Sequence, residues 1–255
     1  GKARMCCIPS TSGTASEVSR SIVISDNEKG LKHGVGNMEM MPDIAICDPE
    51  VTMSMPAKIT AETGMDALTH ALEALASNRA NYLSDILASQ AAQDIMETLP
   101  TAYENGNDIK ARETMVQASM VAGIAFTNVS LGIVHSMAHA LGAVYDTPHG
   151  VANAILLPTV MAYNADATGT KYKDIAIAMG VEGVEDMTQE EYRKAAVDAV
   201  AQLSKDVKIP QDLKDIVKEE DLDFLVDSAY NDACAPGNPK DATKEDIKAL
   251  YQSLM

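Results

Sequence analysis

From residue 60 to the C-terminus, apolar residues recur every three or four positions, the spacing that one face of an α-helix requires. A capping-box sequence begins at Thr188 and a similar N-terminal signature at Thr243, each ahead of such a run. Pro100 is expected to end the second helix, because proline removes a helical hydrogen bond. The pattern predicts helices over residues 60–76, 81–99, 108–127, 131–144, 150–164 and 188–206, and a last one from residue 243.

The chain before residue 53 has a different pattern, in which short β-branched runs alternate with turn residues. The predicted elements are a strand end at 5–9, a strand at 21–25 with a turn at 26–30, and a short strand at 43–47. The small-residue loop at 10–16 follows a strand end, where α/β folds bind phosphate and ribose. The chain is therefore predicted as mainly α, with part of a sheet in residues 1–52 and an all-helical domain in residues 53–255.

Composition limits the functional classes to consider. The 255 residues carry a net charge of −17, with an isoelectric point near 4.6. Such a surface repels nucleic acid and anionic lipid, so neither is expected as a partner. The four cysteines form no CxxC pair, and the sequence shows neither a long apolar window nor a signal-peptide pattern. These features predict a soluble, cytoplasmic protein with reduced thiols and no contact with a membrane.

Candidate chemistry lies in the histidines, three of which fall within residues 135–149. His135 and His139 are four residues apart, so a helix places both imidazoles on one face. His149 follows a turn, and Asp66 and His70 form a second pair with helical spacing. Burying so many polar groups among alanines and leucines is costly unless they share a partner. The pattern indicates a metal site for Fe(II) or Zn(II), with ordinary hydrogen-bonded core histidines as the alternative.

Several segments of the chain resemble the iron-containing (group III) alcohol dehydrogenases. The combination of Asp-xxx-His with His-xxx-His, and a further histidine fourteen residues after His135, is specific to that pattern. The chain is most similar to the branch that contains lactaldehyde reductase, 1,3-propanediol dehydrogenase and butanol dehydrogenase. The segments that carry the resemblance are residues 8–17, 63–70, 135–139, 146–154 and 234–239.

The resemblance implies a dehydroquinate synthase-like architecture and a set of functional residues. Residues 1–52 would be the C-terminal remnant of a Rossmann-like dinucleotide-binding domain, and residues 53–255 the helical, metal-binding catalytic domain. His139 would lie beside the nicotinamide and the substrate, where it passes a proton. The implied metal ligands are Asp66, His70, His135 and His149. The implied cofactor contacts are Ser10, Thr11, Ser19, Ser21, Val23, Lys32 and His139, and the substrate pocket would include Phe126 and Cys234. For each cofactor or pocket residue, ordinary strand, loop or core packing is the alternative.

The implied activity is a metal-dependent, NAD(P)-linked interconversion of a small primary alcohol or diol and its aldehyde. Fe²⁺ is the expected metal with Zn²⁺ possible, either NAD or NADP is the cofactor, and a homo-oligomer, dimeric or larger, is expected. The family's Gly-Gly-Gly-Ser pyrophosphate loop and its acidic ribose-binding residue do not occur in this sequence. The resemblance therefore implies a fragment of such an enzyme. The alternatives are a non-redox dehydroquinate-synthase-like cyclase and a helical metal-binding or oligomerisation module without activity.

Overall fold

The computed structural model describes residues 3–26, 28–29 and 31–255. Residues 27 and 30 of the predicted turn lie outside the described residues. The strands are β1 (Cys6–Cys7), β2 (Ser21–Asp26), β3 (Leu31–Gly36) and β4 (Ile44–Ala45). The helices are α1 (Pro49–Thr52), α2 (Ala57–Ala76), α3 (Tyr82–Glu104), α4 (Ile109–Val129), α5 (Ile133–Tyr145), α6 (His149–Asn164), α7 (Lys171–Ala178), α8 (Gln189–Asp206), α9 (Leu222–Tyr230) and α10 (Lys244–Gln252).

The strands form two small sheets ahead of the helices. β1 pairs in parallel with β4, with Cys6 opposite Ile44, and β2 pairs antiparallel with β3. The strands predicted at 5–9, 21–25 and 43–47 are present, although the first and last are two residues long. β3 was not predicted, because two glycines and two polar residues leave it without the alternation of apolar and polar positions that marks a strand.

From residue 53 onward every regular element is a helix, as predicted, so the fold is mainly α with strands before residue 46. Helices α2, α3 and α4 pack on one another, and α5 packs between α6 and α9. Buried alanines, including Ala67, Ala71 and Ala74 of α2, let these helices approach closely. The histidine-bearing helices α2, α5 and α6 therefore belong to one shared core.

The predicted stop at Pro100 is wrong. Helix α3 continues through this proline to Glu104. The loss of one N–H donor is outweighed because Leu99 and Ala102, on either side, are fully buried in the core. Packing of the apolar face therefore decides the length of this helix.

The other helix boundaries follow local signals. Thr188 and Thr243 cap α8 and α10 through capping boxes with Glu191 and Asp246. Helix α6 begins at His149, directly after the predicted turn. No single helix in the described part of the chain is long and apolar enough to cross a membrane. Helices α4 and α5, which meet at an angle of 104°, would together be long and apolar enough, by length and composition alone.

Candidate metal centre

Three helices bring an aspartate and three histidines to one point in the core. Asp66 and His70 lie one turn apart on α2, His135 lies on α5, and His149 is the first residue of α6. Asp66 Oδ1 is 3.7 Å from His135 Nε2 and 3.6 Å from His149 Nε2. Donor atoms of Asp66, His70 and His135 all lie within 4.8 Å of one another. Two ligands of one tetrahedral ion with bonds of about 2.1 Å lie roughly 3.4 Å apart, so the two distances from Asp66 Oδ1 are close to that spacing.

The imidazole rings pack against one another around this point, some stacked and some edge-on. The ring of His70 stacks on His135 and on Phe126, with ring centres 4.5 Å apart in each case. The ring of His139 stacks on His149 at 5.4 Å and meets His135 edge-on at 6.1 Å. His139 therefore lies next to the cluster, and its Nδ1 faces Asp232 instead of the four candidate ligands.

Three further polar residues, which the sequence reasoning missed, contact the histidines. Glu73 Oε2 lies 2.6 Å from His135 Nδ1, and Asp232 Oδ2 lies 2.9 Å from His139 Nδ1. Asn153 Nδ2 lies 2.6 Å from Asp66 Oδ1 and 3.2 Å from Nε2 of both His135 and His149.

Helical spacing offers a signal for two of these three residues. Glu73 follows Asp66 by seven residues on α2, and Asn153 follows His149 by four on α6, so both share a face with a candidate ligand. Asp232 is 93 residues from His139 in the sequence and has no such signal.

Burial and neighbouring charges set the protonation of the cluster. Burial raises the pKa of Asp66, but the charges of His70 and His149, together with the hydrogen bond and charge of His135, outweigh it and hold that pKa well below its usual range. Burial lowers the pKa of His70 to about 4 and that of His149 to about 3, against the attraction of Asp66. A carboxylate and neutral imidazoles are the forms that bind metal ions.

His135 differs from the other histidines because it lies between two carboxylates. Burial lowers the pKa of His135, but Glu73 and Asp66 together raise it to about 9. The two carboxylates therefore favour a positive charge on His135, whereas burial disfavours one on His70 and His149.

The donor set suits a transition-metal ion. Three imidazoles and one carboxylate fit Fe(II) or Zn(II) better than Mg²⁺ or Ca²⁺, which prefer oxygen ligands. His70 Nδ1 and Asn153 Oδ1 are buried without a hydrogen-bond partner among the described residues. These two polar atoms are therefore free to interact with a bound group. The residues present therefore fit such a cation.

The residues implied as cofactor contacts lie on the strands and the loop before the helices. Ser10 is exposed and Thr11 half-buried in the loop, and that loop rests on α2, because an added Cβ at Gly13 would lie 2.7 Å from Thr63 Cβ. Lys32 on β3 extends over the end of α5, since its Nζ would lie 2.6 Å from a Cβ added at Gly142.

The remaining predicted contacts divide into two groups. Ser19 Oγ accepts a hydrogen bond from the Ser21 backbone, and Ser21 and Val23 lie exposed on β2. Phe126 contacts His70, and Cys234 Sγ lies within 4.8 Å of donor atoms of His139 and Asp232. The structure thus brings the two implied pocket residues to the histidine cluster.

Comparison with known protein families gives the same assignment as the motifs. The family model described as "Fe-containing alcohol dehydrogenase family, C-terminal" matches residues 60–255. The model "Iron-containing alcohol dehydrogenase" matches residues 1–49. The chain belongs to the iron-containing alcohol dehydrogenase family. The resemblance inferred from the sequence is confirmed.

Individual members of this family align along nearly the whole chain. Lactaldehyde reductase of Escherichia coli (strain K12) is 49% identical over 247 residues, which cover 96% of this chain and 64% of that protein. 1,3-Propanediol dehydrogenase of Klebsiella pneumoniae is 43% identical, in an alignment that covers 96% of this chain and 63% of that protein. A crystal structure of 1,3-propanediol oxidoreductase matches with a TM-score of 0.95 at 42% identity, covering 99% of this chain and 66% of that one. The chain thus spans less than two thirds of the curated relatives' length.

Proposed function

We propose that the chain is the metal-binding, catalytic part of an NAD(P)-linked alcohol dehydrogenase that interconverts a small primary alcohol or diol and its aldehyde. The observation that carries the proposal is the convergence of the buried residues Asp66, His70 and His135 with the half-buried His149. Two relatives are named for lactaldehyde and for 1,3-propanediol, which are small molecules of this class.

The proposed metal ligands are Asp66, His70, His135 and His149. Fe²⁺ is the expected occupant and Zn²⁺ the alternative, and either one supplies Lewis acidity toward the oxygen of an alcohol or aldehyde. Asn153 hydrogen-bonds to Asp66 and so restrains its carboxylate against rotation. The surrounding apolar core excludes water from the inner side of the site.

The proposed catalytic residue is His139. Its Nδ1 faces the Asp232 carboxylate, which accepts a hydrogen bond and so keeps the proton on Nδ1. Nε2 then carries the lone pair and can take the proton of the substrate hydroxyl, or return it in the reverse direction. Phe126 and Cys234, beside His70 and His139, are proposed as pocket walls.

The proposed cofactor is NAD or NADP, whose nicotinamide accepts or returns the hydride. Ser10 and Thr11 are assigned to the adenosine side, and Lys32 to a ribose hydroxyl or phosphate. Ser19, Ser21, Val23 and His139 are assigned to the nicotinamide end. Apart from His139 on α5, these residues belong to the loop and the hairpin region that border α2 and α5, which supports the assignment.

The dehydrogenase proposal is favoured over the two alternatives. A cyclase acting on a phosphorylated substrate needs basic residues, and residues 135–149 contain no lysine or arginine. An inactive helical module would have no use for the His139–Asp232 pair beside the cluster. The division at residues 52 and 53, a dimer or larger homo-oligomer, and a cytoplasmic location remain part of the proposal.

The metal assignment is tested with His149→Ala. Loss of this ligand is expected to remove bound iron or zinc, measured by elemental analysis after dialysis. His33→Ala is the matched control. His33 lies exposed on β3, and its ion-pair partner in the described part of the chain is Asp26 at the surface. Retention of metal in His149→Ala would contradict the proposed ligand set.

The role of His139 is tested by His139→Gln in the metal-loaded protein. NAD(P)-dependent oxidation of 1,3-propanediol, followed by nicotinamide absorbance, is expected to slow by about 10²–10⁴-fold. Metal content should stay unchanged, since Nδ1 of His139 pairs with Asp232 and its ring only stacks beside the cluster. Loss of metal from this variant would instead make His139 a ligand.

A further inference from the structure

Glu73 is a buried carboxylate that none of the proposed catalytic steps uses. It is 7% exposed and lies on α2, the helix that carries Asp66 and His70. Its Oε1 accepts the backbone N–H of Val134 at 2.8 Å, and its Oε2 lies 2.6 Å from His135 Nδ1. Both oxygens are therefore aimed at the start of α5.

The contact with Glu73 decides which nitrogen of His135 is available. An ionised carboxylate only accepts hydrogen bonds, so Nδ1 must carry the proton that it shares with Oε2. The other nitrogen, Nε2, faces Asp66 Oδ1 at 3.7 Å and would offer its lone pair to a metal ion held by the cluster. Imidazole ligands of metals commonly donate their second N–H to a carboxylate in this way.

Apart from the Val134 N–H at the start of α5, the Glu73 carboxylate meets no compensating group other than His135 among the described residues. Within the described ranges, its ion-pair partner is His135, and no lysine or arginine lies within ion-pair distance. An unpaired charge in an apolar core is strongly unfavourable. A divalent cation held by Asp66 and three neutral imidazoles retains one positive charge, which the Glu73 carboxylate would balance through His135.

We propose that Glu73 is a positioning residue of the metal centre, which fixes the tautomer of His135 and neutralises the remaining charge of the site. This inference rests on the proposed function, because it assumes that the cluster binds a metal ion. Glu73 does not touch the ion or the substrate in this role, and it acts through His135.

The pair of His139 and Asp232 provides a matched comparison, because His139 lies on the same helix as His135. His139 lies one turn after His135 on α5, and its Nδ1 meets Asp232 as the Nδ1 of His135 meets Glu73. Asp232 also accepts a backbone N–H, from Cys234 at 2.8 Å. The two pairs thus share their chemistry, but only the imidazole held by Glu73 is a proposed ligand.

The experiment compares Glu73→Gln with Asp232→Asn in the 255-residue chain. Glutamine offers one acceptor oxygen where Val134 N–H and His135 Nδ1–H need two, so one donor loses its partner. Zn²⁺ affinity, measured by competition with a chromophoric chelator, is expected to fall about 10–100-fold in Glu73→Gln. The Zn²⁺ affinity of Asp232→Asn should stay within about 3-fold of that of the unsubstituted chain. This change is smaller than substitutions of residues that hydrogen-bond to a metal ligand usually produce.

The outcomes distinguish the proposed role of Glu73 from the proposed metal centre. Equal affinity of Glu73→Gln and the unsubstituted chain would overturn the role of Glu73, as would an equal loss in Asp232→Asn. Failure of the unsubstituted chain to bind Zn²⁺ would instead overturn the proposed metal centre.

A measurement on the unsubstituted protein covers the case in which Glu73→Gln does not fold. Nitrogen-15 NMR of the zinc-loaded chain should show His135 protonated at Nδ1, with Nε2 carrying the metal-induced shift. Protonation at Nε2, or an Nδ1 without a proton, would show that Glu73 does not set the tautomer.

Discussion

Asn153 shows how one side chain can serve acceptors of two kinds. It is fully buried, and its Nδ2 lies within hydrogen-bond distance of Asp66 and of two imidazole nitrogens. An amide offers two N–H donors to these acceptors without adding charge, whereas an aspartate at this position would place a second carboxylate beside Asp66. The neutral donor thus holds the cluster together and leaves its charge to the acid and the imidazoles.

Glu17 is a buried acid of a different kind, remote in sequence from the histidines. It is 3% exposed, and its Oε2 lacks a hydrogen-bond partner among the residues with described positions. Burial raises the pKa of Glu17 above its ordinary value of 4.5, although its backbone hydrogen bond and Cys47 oppose the shift. The folded protein therefore binds this proton more tightly than the unfolded chain does.

The sign of the pH effect follows from this raised pKa. Stability from the protonated Glu17 is fully present below pH 4.5 and is lost as the pH rises through the pKa of the folded state. Glu17→Gln should therefore gain in free energy of unfolding, relative to the unsubstituted chain, as the pH is raised from about 4 to about 7. Urea unfolding at several pH values measures the gain, and Glu113→Gln, at an exposed position of α4, is the control. A gain independent of pH would contradict the prediction.

Close contacts between helices rest on glycines where backbone meets backbone. A Cβ added at Gly150 on α6 would lie 2.1 Å from the carbonyl oxygen of Glu62 on α2. The residue before it is His149, and Asp66 lies one turn after Glu62. The crossing of α2 and α6 at this glycine therefore brings His149 to Asp66.

Gly150→Ala should separate these two helices. Overpacking at a rigid contact costs about 1–3 kcal/mol, and the gain of about 1 kcal/mol from alanine's helix propensity is too small to offset a backbone clash. We expect a lower free energy of unfolding in denaturant and weaker Zn²⁺ binding, because His149 moves away from Asp66. In the control Gly34→Ala, the new Cβ would lie 3.7 Å from Ala233 Cβ, an ordinary contact. Unchanged metal affinity in Gly150→Ala would show that α6 does not set the site's geometry.

The molecule as a whole carries a large excess of negative charge. Thirty-seven acidic residues face only 20 basic ones, for a net charge of −17. Several lysines already pair with acids at the surface, as in the pairs Lys173–Glu185 and Lys248–Asp223. Most of the remaining acids therefore repel one another across the surface of the folded protein.

Added salt should stabilise this protein. Screening at about 0.15 M ionic strength reduces repulsion beyond roughly 8 Å, so the unfolding temperature should rise on going from about 10 mM to 150 mM salt. A gain on the order of 1 kcal/mol corresponds to about 2–4 °C for a chain of this size. Calorimetry in NaCl and in KCl, after removal of divalent metals with EDTA, measures it. A fall in unfolding temperature, or a rise with only one of the two salts, would contradict simple screening.

Local spacing along the chain was enough to predict most of the helices and the paired residues on them. Asp66 with His70, and His135 with His139, share helix faces because four residues span slightly more than one helical turn. The start of α6 at His149 and the caps at Thr188 and Thr243 also follow from neighbours within a few residues. Such features depend on backbone hydrogen bonds and short side-chain contacts, which sequence neighbours decide.

Packing between segments that are distant in the sequence determines the features that local spacing did not predict. Pro100 lies inside a helix because buried residues on both sides hold α3 together, and β3 exists because β2 pairs with it. Glu73 meets His135 across 62 residues, and Asp232 meets His139 across 93. No periodicity encodes such pairs, because they depend on how helices cross once their apolar faces are buried.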